Sequence, residues 1–109
     1  MALEIDNLLE EMLGIAKNKF GDAYADAKDF AENEFKKLLQ NTEFLARKVA
    51  NGEMTIERAK RYLRMSKNAA EAVILTVEGI GLDAAEETIN DALDLVKDAV
   101  NAALPISIL

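Results

Sequence analysis

IERAKRYLRMSKNAAEAVILTVEGI, residues 56–80, places apolar or small side chains at Ile56, Ala59, Leu63, Ser66, Ala70, Val73, Val77 and Ile80. The steps between them alternate three and four without interruption, which is a heptad seam. A helix with such a stripe lies against a partner helix along its whole length, and the period of two of a half-buried strand does not fit the same residues. The stretch predicts a long packed helix, and the rest of the chain can be read around it.

Upstream, Ile5, Leu8, Leu9, Met12, Ile15, Ala16 and Phe20 make one broad apolar face of a first helix over about residues 3–20. Gly21-Asp22 predicts a break, with Asp22 as the N-cap of a second helix over 23–50. The alternative is one continuous helix that holds Gly21 inside at a cost of about 1 kcal/mol. The second helix has its own seam, Ala31, Phe35, Leu38, Thr42, Leu45 and Val49, and Phe30 and Phe44 beside it are expected to widen the buried face. Asn51-Gly52 ends it, because glycine accepts the left-handed conformation of a C-terminal cap. Thr55 is the expected N-cap of the third helix, 55–78, with Glu57 complementing the helix dipole.

Gly79-Ile80-Gly81 breaks the chain again, and Asp83 with Glu86 forms a capping-box start for a fourth helix over 83–104. Its seam is Leu82, Ala85, Ile89, Ala92, Val96, Ala99 and Ala103, and Pro105 closes it. Residues 1–104 therefore read as one all-α domain, an elongated up-down bundle of about four helices open to completion by oligomerisation. Helices two to four would each run roughly 33 to 40 Å at about 1.5 Å per residue. That is long against the radius of gyration of about 13 Å expected of a compact chain of this size. Small residues on both seams predict that the third and fourth helices form the most intimate pair. Residues 69–77, with almost no polar side chain, are expected to be buried on every side.

Thirteen Lys and Arg stand against 20 Asp and Glu, a net charge of −7. The charges are segregated: residues 1–46 carry five cations and ten anions, 47–67 seven and two, 68–109 one and eight. An acidic surface repels phosphate backbones, so nucleic acid is disfavoured as a partner. The chain has no Cys and no His, which removes disulfides, thiolate sites, the commonest general base and the commonest metal ligand together. The acidic start, with Glu4, Asp6, Glu10 and Glu11, does not read as a secretory leader. The uncharged run 72–77 is far short of the roughly 20 apolar residues a bilayer requires. A cytoplasmic protein without membrane, metal or cofactor is the reading that follows.

The run from Thr55 to Val73 resembles a helix-turn-helix segment, with Ala59 and Leu63 inside a first helix and Ser66, Lys67 and Asn68 opening a second. The resemblance implies phosphate contacts from Arg58, Lys60, Arg61 and Arg64. Two departures count against it. The turn position usually given to Gly is Arg64, and the supposed reading helix continues with only Glu71 and Thr76 polar, leaving little to meet base edges. Arg, Met, Lys and Ala across the proposed turn all favour helix continuation, so one uninterrupted helix with a basic first half is expected.

Glu87, Asp91, Asp94 and Asp98 form an acidic ridge with four-three-four spacing on the fourth helix, suited to ion pairs with the basic start of the third. Asp22, Asp26, Asp29, Glu32 and Glu34 read as a second solvated acidic face. Gly79-Ile80-Gly81 lacks the residues of a phosphate loop. Tyr24, Tyr62 and the four Phe read as core or interface.

The functional expectation is a non-enzymatic, homo-oligomeric interaction or assembly protein, with a further protein as a second partner. Ala70, Val73, Ile74, Val77, Ile80, Ile89 and Val96 are its expected interface, with Ile106, Ile108 and Leu109 of the apolar tail 105–109 docking in cis or in trans. Arg58, Arg61, Arg64 and Lys67, and opposite them Glu87, Asp91, Asp94 and Asp98, are the expected charged partner surfaces. A small acidic inhibitor that mimics nucleic-acid phosphates, and a DNA-binding protein using residues 55–73, are the alternatives.

Overall fold

Gly21 decides the first corner. Its φ of +57° is the left-handed conformation that costs a residue with a Cβ about 1–2 kcal/mol. The chain there tightens into a single 3₁₀ turn, Gly21–Ala23, between α1 (Ile5–Phe20) and α2 (Tyr24–Ala50). The Tyr24 N–H donates to the Gly21 carbonyl, so one of the N–H groups that Asp22 was expected to cap is already used. The residue before α2 is Ala23, with no side-chain cap. α3 (Ile56–Ile74) and α4 (Leu82–Ala103) complete the chain. In this computed structural model residues 5–103 are described, and among them there is no strand. The protein is all-α, carried by three helical stretches, 5–50, 56–74 and 82–103, rather than by four separated helices.

The second corner follows its sequence closely. Gly52 has φ +74°, its N–H donates to the Val49 carbonyl and the Glu53 N–H donates to the Lys48 carbonyl. These are the two bonds of a Schellman motif. Thr55 then caps α3, its Oγ1 accepting from the Arg58 N–H at 3.2 Å. α3 runs unbroken from Ile56 to Ile74, so no turn of a helix-turn-helix exists at Arg64 to Ser66.

α3 stops four residues before the expected 78. The Thr76 and Val77 N–H groups donate three residues back, to Val73 and Ile74, and Thr76 Oγ1 donates to the Val73 carbonyl at 2.6 Å. The hydroxyl and the β-branched neighbours favour this tighter unwinding over another α-turn. Gly79, at φ +92°, then turns the chain back. A Cβ there would sit 3.6 Å from that of Ala23, which places this loop against the α1–α2 corner. α4 starts one residue earlier than expected: the Ala85 N–H donates to the Gly81 carbonyl, making Gly81 the cap and putting Asp83 inside the first turn.

The helices pair differently from expectation. α2 packs against both α1 and α3, α4 lies chiefly on α1, and the α3–α4 contact is minor. Three- and five-residue connections force α1, α2 and α3 into successive hairpins, whereas seven residues separate α3 from α4 and release that pair. Ala27, Ala31, Phe35, Leu38, Leu39, Leu45 and Ala46 of α2 are buried to within about one per cent, and α2 is the axis of the core. The radius of gyration is 13.8 Å and the extents are 43 × 24 × 17 Å. The molecule is thus a compact globule, its length set by the 27 residues of α2.

Two buried threonines differ. Thr42 Oγ1 donates to the Leu38 carbonyl at 2.7 Å, while Thr88 Oγ1 is buried with no partner among the described residues. An unpaired buried hydroxyl costs about 1–3 kcal/mol. Thr88→Val is therefore expected to raise unfolding free energy by about 1 kcal/mol in urea titration. Phe35→Ala is expected to lower it by about 3–5 kcal/mol.

Candidate interaction face on α2 and α3

Helical spacing lays out two stripes on α3 and the turn that follows it. The first, Ala59, Leu63, Ala70, Ile74 and Val77, is buried. The second is Arg58, Tyr62, Met65, Ala69, Ala72 and Thr76, again with steps of three and four, and every member is exposed. Residues 69–77 are therefore covered on one side of the chain only, and Ala69, Ala72 and Thr76 face solvent.

α2 supplies a matching exposed stripe, Phe30, Asn33, Lys37, Gln40, Phe44 and Arg47. Lys37 of this stripe and Ala69 of the α3 stripe line a common groove. Glu34, Lys37, Leu38 and Asn41 of α2 and Ser66, Ala69 and Ala70 of α3 line one cavity of about 160 Å³. Asn41 Nδ2 donates across it to Ser66 Oγ at 3.2 Å. Phe30 (48% exposed) and Phe44 (50%) flank the cavity-lining residues of α2, and Tyr62 (46%) and Met65 (71%) flank those of α3. The aromatics expected to widen the core thus widen the surface instead: Phe20 and Phe35 are buried, Phe30, Phe44 and Tyr62 are not.

Glu34, read in the sequence as part of a solvated acidic face, is buried. Its Oε2 accepts from Lys37 Nζ at 3.2 Å and from Asn33 Nδ2 at 3.3 Å, so the charge is met where α3 covers it. No periodicity separates Glu34 from its exposed neighbours, because its burial comes from α3 and not from α2's own pattern.

The face is basic. Arg58, Lys60, Arg61 and Arg64 are exposed, Lys67 is half-buried, and none forms an ion pair among the described residues. On α2, Lys48 Nζ lies 5.6 Å from the centre of the Phe44 ring and 2.6 Å from Glu53 Oε2. The hydrogen bond from Lys48, with its charge, holds the Glu53 carboxyl below its ordinary value.

The acidic ridge lies elsewhere. Glu87, Asp91, Asp94 and Asp98 are exposed on α4, and Lys19 of α1 reaches Glu87 at 3.4 Å and Asp91 at 3.5 Å. That bond to Glu87, then the two negative charges, raises the Lys19 ammonium above its ordinary value. The ridge therefore meets α1 and not, as expected, the start of α3. α1 packs against both α2 and α4, which barely meet.

Of the expected apolar interface, Ala70, Ile74, Val77, Ile80, Ile89 and Val96 are buried in the chain's own core and have little surface left for another chain. Val73 is half-buried, and Ile106, Ile108 and Leu109 lie outside the described residues. Among the described residues no acidic cluster is arranged to hold a metal ion, and no helix is long and apolar enough to cross a membrane. Compared with protein-family models, curated proteins and solved structures, the chain matches none.

Glu53 gains its partner only in the fold, so its contribution is present above the ordinary carboxylate range and is lost as pH falls through its lowered value. A ¹³C carboxyl titration is expected to show the Glu53 midpoint below its ordinary value, and in Lys48→Met that midpoint should rise.

Proposed function

We propose that this chain is a non-enzymatic, cytoplasmic assembly protein that associates with itself through the outer face of α2 and α3. One observation carries the reading: Phe30, Phe44, Tyr62 and Met65, four large apolar side chains roughly half exposed or more, stand on the outer sides of α2 and α3, the two helices that line one cavity. Single exposed apolar residues are ordinary on a protein surface, but a contiguous set rimmed by charge is the composition of an association site. Met and aromatic residues are also those enriched where protein surfaces meet.

The arrangement suits a helix-in-groove contact. The cavity of about 160 Å³ between the two helices, with small Ala69 and Ala70 in its lining, has room for a side chain of an added helix. Catalysis finds no support in the composition, since His and Cys are absent and the one carboxylate buried among the described residues, Glu34, is already held by Lys37 and Asn33.

Light scattering is expected to give a mass above the 12.0 kDa of one chain, rising with protein concentration. Tyr62→Ser with Met65→Ser should return it to 12.0 kDa with little change in thermal stability, because exposed positions contribute little to folding. A strict monomer at every concentration would contradict the reading.

A further inference from the structure

We infer that the partner surface for the basic side of α3 is the acidic ridge of α4 on a second copy of the chain. This inference rests on the self-association reading and names the contact that performs it.

Complementary, unspent charge is the first support. Arg58, Arg61 and Arg64 form no ion pair among the described residues, and neither do Asp94 and Asp98. α4 packs on α1 and spends only Glu87 and Asp91 on Lys19. The two surfaces that would neutralise each other therefore both remain open. Their lengths also match. Arg58 to Lys67 spans about 13 Å of α3 and Glu87 to Asp98 about 16 Å of α4, at 1.5 Å per residue.

Helix dipoles add a second support. Arg58 sits in the first turn of α3, where the backbone already presents partial positive charge, and α3 has no basic residue in its last turn, where one would be favoured. Asp94 and Asp98 sit in the second half of α4, which likewise has no basic residue in its last turn. Neither charge set stabilises its own helix. Each is relieved by an opposite charge brought from outside.

A basic face placed against its own copy would be repelled, so the contact joins two different surfaces of the chain. α3 of one copy meets α4 of the next, with Tyr62 and Met65 covered beside the ion pairs. Contacts between opposite charges at the rim set partner choice and association rate more than affinity, and they are screened by salt.

The test is charge reversal with complementation, followed by sedimentation velocity at low and high salt. One variant carries Arg58→Glu, Arg61→Glu and Arg64→Glu; the other carries Asp94→Lys and Asp98→Lys, sparing the partners of Lys19. Each alone is expected to weaken self-association at least tenfold. An equimolar mixture should restore it, because each variant then offers the other two complementary surfaces. Raising salt should dissociate both the wild type and the mixture.

Arg61→Gln with Arg64→Gln gives a milder version that preserves helix propensity should the triple reversal unfold the chain, and it is expected to weaken association in the same direction. Reversal variants that associate like the wild type would overturn the α3–α4 contact while leaving self-association standing. A wild-type chain that stays monomeric would overturn both. Weak variants whose mixture stays monomeric would show that the two surfaces do not meet each other.

Discussion

Covering α2 on two sides is the constraint from which the rest of the structure follows. Its 27 residues bury Ala27, Ala31, Phe35, Leu38, Leu39, Thr42, Leu45 and Ala46, a set too broad for one neighbouring helix. α1, folded back by the 3₁₀ turn at Gly21, covers one side, and α3, folded back at Gly52, covers the other. α4 then has nowhere to lie but mostly on α1. The outer sides of α2 and α3 are left without cover, and the exposed groove between them is a consequence of this layout.

Electrostatics is laid over that layout in a segregated way. α3 holds cations with no ion pair among the described residues, α4 holds anions of which Lys19 engages two, and the two helices touch only slightly. Exposed ion pairs contribute little to stability, commonly under about 1 kcal/mol, so the segregation has little to do with holding the monomer together. In the self-association proposed above, net charge of opposite sign on the two surfaces would orient approach.

Much of the fold was legible in the sequence because it is written in local chemistry. The heptad seam of α3, the Thr55 cap, the glycine stop at residue 52 and the break at Gly21 all depend on neighbours within one turn. Which helix covers which face is not local. The buried stripe through Ala59 and Leu63 and the exposed stripe through Tyr62 and Met65 have the same three-four spacing, and only the presence of α2 tells them apart. For the same reason Glu34 read as solvated, and Phe30 and Phe44 as core. The charged residues of the candidate face were visible as a basic island, while its aromatic rim became visible only once α2 and α3 were seen side by side.

The most direct measurement is the ¹³C-methyl spectrum of the methionines followed from dilute to millimolar protein. The Met65 methyl, 71% exposed, should shift and broaden with concentration, while that of Met12, fully buried in the core, stays fixed. A Met65 resonance that is sharp and unmoved over the whole range would contradict the assignment of the α2–α3 face as the surface through which this chain meets its own copies.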